Sequence, residues 1–235
     1  MKKTLTQIAN SIGIDKGTIT NSCHGFTKMY DDILTPLREK SIIMLEIGVS
    51  GGGSLKMWEE YFSDAIIIAL DIVNETHLSN DKTFVYQLDQ SDETQLQNFV
   101  NQCKENGYEF DFIIDDGSHH MQDQQLTLAY LFPLLKSQGI YVIEDLHTSL
   151  LPNGYPLYGK LTEIFPDRYN TTLNYLSHGV DSIYITAEQN IYLNKNIDSI
   201  NIHNIFNPII DTWHESLGVG KPYMGRSITS FIIKK

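Results

Sequence analysis

Glu46, Asp71, Asp89, Asp115, Asp116, Glu144 and Asp145 stand at or just after the ends of apolar runs. In an open α/β sheet such positions converge on one edge, outside the carboxyl ends of the strands, where ligands bind. Carboxylates gathered there repel one another unless a cation or hydrogen-bond donors answer them. The chemistry to expect is therefore that of a positively charged ligand. The first run leads into Glu46-Ile47-Gly48-Val49-Ser50-Gly51-Gly52-Gly53, an acidic residue and a glycine-rich turn that lets backbone approach a ligand closely. Aligned on Gly48, the dinucleotide pattern G-x-G-x-x-G would need glycine where Ser50 stands. Glu46 beside a diphosphate would be repulsive, whereas a carboxylate facing a sulfonium or amino group attracts. Asp71 follows Glu46 by 25 residues (71 minus 46), about where an acidic side chain closing a second strand meets a ribose. A glycine turn alone could simply pack strand on helix. With Asp71 and Asp89 beside it, S-adenosylmethionine fits better than a nicotinamide dinucleotide.

Two further stretches suggest a metal. Asp115-Asp116-Gly117-Ser118-His119-His120 follows one strand, and Ile143-Glu144-Asp145-Leu146-His147-Thr148 closes the next. Carboxylate-rich ligation suits magnesium, manganese or calcium more than zinc. A magnesium ion on two or three of these carboxylates could bind a vicinal diol and lower the pKa of the hydroxyl to be modified. His119 is then the natural proton acceptor, since imidazole works as a base near neutral pH. His120 and His147, each taken alone, read as packed or solvent-bonded histidines, and Asp115 could serve only as a helix cap.

The elements that must position these groups alternate. Uniformly apolar strands are expected at 41–47 and 65–70, with further strands at 84–88, 110–114 and 139–143. Helices are expected at 54–62, 92–105 and 121–135. This pattern predicts an α/β fold of Rossmann-like type, a mostly parallel sheet with helices on both faces. Residues 182–186 and 190–193, joined by 187–189, read as a C-terminal antiparallel hairpin. Further helices are expected near 161–165, 171–177 and 208–217, and an apolar run spans 228–233. We divide the chain into a helical lid segment (1–40), a cofactor-binding domain (41–194) and an extension (195–235) that completes the domain or contacts another subunit of a homo-oligomer.

Composition narrows the function. With 235 residues, 41% hydrophobic and 20% charged, one good core is expected. Seventeen basic residues against 29 acidic ones leave a formal charge of −12 and no basic stripe to track a phosphate backbone, so nucleic acid is not an expected partner. Neither a signal-peptide core nor a membrane span is apparent, and two cysteines without zinc-type pairing suit a reducing compartment. The expected location is the cytoplasm.

The motifs around Glu46–Ser54, Asp89–Asp92, Ile114–His119 and Ile143–Thr148 together resemble the class I methyltransferases that O-methylate sugars of macrolides and related polyketides. The cephalosporin-hydroxylase family is similar at the same motifs. The stretch Ile14-Asp15-Lys16-Gly17, with His24 and Tyr30, is similar to a segment that folds over the cofactor in those methyltransferases, although Ile14 stands where threonine is expected. The resemblance implies that Asp116, Glu144 and Asp145 hold magnesium and that His119 is the general base. It places Glu46, Gly48 and Ser50 along the methionine side of S-adenosylmethionine, Asp71 on its ribose, and Asp89 with Gln90 at its adenine edge, with Gly51 and Asp115 also among the cofactor-binding residues. The activity implied is magnesium-dependent methyl transfer to a hydroxyl of a sugar, glycoside or other small hydroxylated molecule. Tyr155 and Tyr158 could stack on a sugar face or equally anchor the loop. The alternative is a metal-dependent hydroxylase, against which the sequence offers no His-x-Asp or His-x-Glu pair of the facial-triad kind.

Overall fold

A computed structural model describes residues 2–19, 24–150, 170–179, 181–206 and 226–235. In chain order the helices are α1 (Leu5–Ile12), α2 (Thr27–Leu34), α3 (Gly53–Tyr61), α4 (Glu93–Glu105), α5 (Met121–Leu131), α6 (Thr172–His178) and α7 (Ala187–Asn196). The strands are β1 (Ser41–Ile47), β2 (Asp64–Asp71), β3 (Thr83–Gln87), β4 (Phe110–Asp115), β5 (Leu135–Ile143), β6 (Ile197–Phe206) and β7 (Arg226–Lys234). Among the described residues they form one sheet in the order β3-β2-β1-β4-β5-β7-β6. The pairs from β3 through β5 are parallel, while β7 runs antiparallel between β5 and β6.

The apolar runs form central strands because both faces of the sheet are covered. Successive side chains of a strand point to opposite faces, so Leu45 and Ile47 join one core with Leu96 and Phe99 of α4, Leu128 and Leu131 of α5, and Leu193 of α7. Met44 faces the other core, built with Leu5 and Ile8 of α1, Tyr30 and Leu34 of α2, and Trp58 and Tyr61 of α3. The N-terminal helices are thus part of a main core. Asp31 of α2 accepts from the backbone N–H of Leu5 at 2.9 Å, which ties the start of α1 to α2.

Two expectations need correction. The hairpin exists, but it is made by β6 and β7; residues 187–196, whose first three were read as a turn, form a helix. Thr186 and Gln189 close a reciprocal capping box, with Thr186 Oγ1 accepting at 3.1 Å and Gln189 Oε1 at 2.9 Å. The burial of Asn190 and Leu193, three residues apart, has helical spacing. The helix expected to run to 135 ends at Leu131, because Pro133 in the following 3₁₀ turn cannot continue it, and β5 begins at Leu135. The helices expected at 161–165 and 208–217, and Tyr155 and Tyr158, lie outside the described residues.

Candidate active site

The sheet ladder continues past the strand ends and fixes the acidic residues at one edge. Gly48 N–H donates to Leu70 O at 2.8 Å, Asp116 N–H to Ile47 O at 2.9 Å, and Glu144 N–H to Asp115 O at 2.9 Å. Gly48 is required on two counts: its φ is +89°, and a Cβ there would stand 2.0 Å from the carbonyl oxygen of Asp116. Gly51, at φ +79°, has open space around it and leaves the turn accessible.

Asp71 binds this turn. Its Oδ2 accepts from Val49 N–H at 2.7 Å and Ser50 N–H at 3.3 Å, and its Oδ1 from Val73 N–H at 2.8 Å. A carboxylate offers about four acceptor positions, so capacity remains for a ribose hydroxyl. Glu46 is fully buried, and neither of its oxygens has a full hydrogen bond. Burial pushes its carboxyl up to about 7, with Lys16 pulling the other way. Asp89 accepts from the backbone and hydroxyl of Ser91, at 2.9 and 2.7 Å. Gln90 is turned into the protein: its amide donates to Asp115 and Thr127 at 3.4 and 3.2 Å and accepts from Ser118 N–H at 2.7 Å. Asp115 is buried, which pushes it up to about 6, and its Oδ2 meets no hydrogen-bond donor.

Beyond β4 and β5 the structure brings Asp116, His119 and Asp145 together, one ligand atom from each lying within 4.8 Å of the others. His119 Nε2 is 3.4 Å from Asp145 Oδ2. Both residues have positive φ, 59° and 54°, a backbone strain that clusters at functional sites. Thr148 Oγ1 braces the two loops by donating to the carbonyls of His119 and Asp145, at 3.2 and 2.8 Å. His120 is outside that group: it is the N-cap residue of α5, with Nδ1 3.8 Å from Asp123 Oδ2.

Glu144 is held differently. Its Oε2 accepts from Lys16 Nζ at 2.6 Å, and its Oε1 accepts from the Tyr30 hydroxyl. Lys16 Nζ also donates to Asp116 Oδ2 at 2.5 Å. Burial and the charge of Asp116 push Glu144 up while Lys16 opposes them. Burial works against the ammonium of Lys16, yet Asp116 and Glu144 hold its pKa well above the ordinary value. Asp145 lies against His24 and His147, whose Nδ1 atoms are 3.6 and 3.7 Å from Oδ1. Despite burial, His24, His147 and His119 hold Asp145 well below the usual carboxylate range. By resemblance Lys16, His24 and Tyr30 belong to the segment over the cofactor, and in the sequence His147 reads as a packed or solvent-bonded histidine. The structure gives all four a carboxylate neighbour, a role for which the sequence carried one signal, the excess of acid at the strand ends.

No family model matches the chain. It is 30% identical over 187 residues to 8-demethyl-8-alpha-L-rhamnosyl tetracenomycin-C 2'-O-methyltransferase of Streptomyces olivaceus, covering 77% of this chain and 46% of that protein. The chain resembles the sugar O-methyltransferases of macrolide and polyketide pathways. A second relative, mycinamicin VI 2''-O-methyltransferase of Micromonospora griseorubida, is 36% identical over 136 residues, 55% of this chain and 33% of that protein. The fold is that of the class I methyltransferases. A solved structure of MycE methyltransferase from the mycinamycin pathway, in complex with Mg, SAH and mycinamycin VI, superposes with a TM-score of 0.71 at 26% identity. That match covers 99% of this chain and 55% of MycE. The chain thus spans about half the length of these relatives, or less.

The site fits both groups that the resemblance implies. For a sulfonium or amino group there is Glu46, buried and short of hydrogen bonds beside a glycine cradle. For a divalent ion there are the carboxylates of Asp116 and Asp145, drawn together beside His119. Glu144 is the third carboxylate at that edge, and Lys16 and Tyr30 already engage both of its oxygens.

Proposed function

We propose that the protein transfers a methyl group from S-adenosylmethionine to a hydroxyl of a sugar or glycoside, with magnesium, in the cytoplasm. The observation that carries this reading is the meeting of Asp116, His119 and Asp145 at the strand ends next to the Glu46–Gly51 turn. Glu46, Gly48, Ser50 and Gly51 line the methionine side of the cofactor, and Asp71 meets its ribose. Asp89, Gln90 and Asp115 border the adenine, with Gln90 and Asp115 acting as braces of that wall. Ile72 and Val73, exposed and apolar just after Asp71, offer the adenine a surface. Asp116, Glu144 and Asp145 hold magnesium, which supplies Lewis acidity toward the acceptor hydroxyl. His119 Nε2 takes the hydroxyl proton, and Asp145, 3.4 Å away, stabilises the resulting imidazolium. Catalysis is otherwise positioning and charge stabilisation. Lys16, His24 and Tyr30 of the N-terminal segment close over the site, and β6 and β7 complete the sheet.

Calorimetric titration of S-adenosylmethionine, first with magnesium and then with chelator, tests this before the acceptor is known. Binding is expected in both buffers, since the glycine turn and not the metal holds the cofactor. Folded protein that binds in neither sinks the reading.

One observation favours the oxidative alternative. His24, Asp145 and His147 each offer one ligand atom within 4.8 Å of the others, two imidazoles and a carboxylate that no short sequence motif announced. Against it, His24 Nδ1 is already 2.9 Å from Ser227 Oγ. Oxygen uptake with ferrous iron and a keto acid separates the two readings.

A further inference from the structure

Lys16 is 3% exposed, and the two carboxylates on it, Asp116 and Glu144, lie 100 and 128 residues further along the chain. Burying an ammonium is costly unless anions answer it, and a buried carboxylate pair is costly for the mirror-image reason. The chain is built to deliver this residue. The carbonyl of Lys16 accepts from both the N–H and the hydroxyl of Thr27, at 3.1 and 3.0 Å. The preceding carbonyl, of Asp15, accepts from His24 N–H at 2.7 Å. Tyr30 then donates to the Glu144 oxygen that Lys16 leaves open.

We propose that Lys16 is the resident cation of this site: its ammonium holds Asp116 and Glu144 together when no divalent ion is bound, and it tempers the affinity of the site for one. The second half of this inference rests on the metal reading above. Lys16 is a positioning residue. By satisfying two of the three carboxylates, it keeps the strand ends of β4 and β5 from repelling one another. A divalent ion arriving there meets a site whose negative charge is already partly balanced, and attraction between close charges is strong where water is excluded. A purely structural lysine would also cost stability when removed, but its loss would not tighten ion binding.

The test compares the wild type, Lys16→Met and the double variant Lys16→Met/Glu144→Gln, by thermal unfolding in chelator and by calorimetric titration with magnesium chloride. Lys16→Met is expected to melt lower in chelator, to bind Mg²⁺ about tenfold more tightly, and to gain more in Tm from the ion than the wild type does. The double variant, which removes one charge of each sign, is expected to recover most of the Tm lost in chelator. Unchanged or weaker Mg²⁺ binding by Lys16→Met overturns the proposal, as does a double variant with no recovery. Should Lys16→Met not fold in either buffer, a folded double variant supports the proposal and an unfolded one overturns it. Wild-type protein that binds no Mg²⁺ sinks the metal reading and the affinity half with it, while the chelator measurements still decide whether Lys16 balances the carboxylates.

Discussion

Glu46 concentrates the opposition between stability and function at the scale of one residue. Its carboxyl is buried, Lys16, Ser54 and Trp58 soften that burial only in part, and the group is pushed from 4.5 to about 7. A folded-state pKa above the unfolded one means that the folded protein binds the proton more tightly. The penalty of ionising Glu46 therefore grows as pH rises from about 4.5 through 7. Glu46→Gln is expected to stabilise the cofactor-free protein at pH 8 by on the order of 3 kcal/mol, and by much less near pH 5. It should at the same time weaken S-adenosylmethionine binding. Urea unfolding at the two pH values, with a cofactor titration, checks this; a gain independent of pH would show that burial of the charge is not its cause. That Glu46 is acidic and ends a strand was legible in the sequence. Its shortage of hydrogen-bond partners was not, because that depends on what packs around it.

The hairpin shows how an element can be present yet misplaced by local pattern. The alternation over 182–193 resembles two short strands, but Thr186 and Gln189 form a capping box, a signal readable in the sequence that specifies a helix start. The alternation came from a loop and a helix whose buried face holds Asn190 and Leu193. Thr186→Ala is expected to cost about 1 kcal/mol in urea unfolding and to leave cofactor affinity unchanged, since α7 carries none of the residues placed on the cofactor. A larger loss, or one felt in cofactor binding, would show that α7 supports the site directly. The true partner of β6 is the apolar run at 228–233, which inserts beside β5. Pairing between segments so separated is set by which sheet edge is open.

At the scale of the whole molecule, the described residues of the N-terminal segment are built into one of the two cores. Leu5, Ile8, Phe26, Tyr30 and Leu34 are buried against β1, α3 and β7, while Lys16, His24 and Tyr30 reach the carboxylates. Deleting residues 1–40 is therefore expected to abolish cooperative unfolding, followed by circular dichroism during heating. A truncated protein that melts sharply would show that the segment is a removable lid. Among the described residues no helix is long and apolar enough to cross a membrane.

The sequence alone determined what local rules control. Apolar runs became strands because their length and uniform burial suit a sheet covered on both faces, and the glycine-rich turn and the acidic residues at the strand ends were legible as a candidate site. Only the tertiary structure decided what answers the acid. Lys16 meets Asp116 and Glu144, and His24 meets Asp145, across separations of 100 residues or more. Periodicity, capping and turn chemistry act over a few residues. Which distant side chain fills a buried, charged gap is chosen by packing and by the high cost of leaving a charge there unpaired.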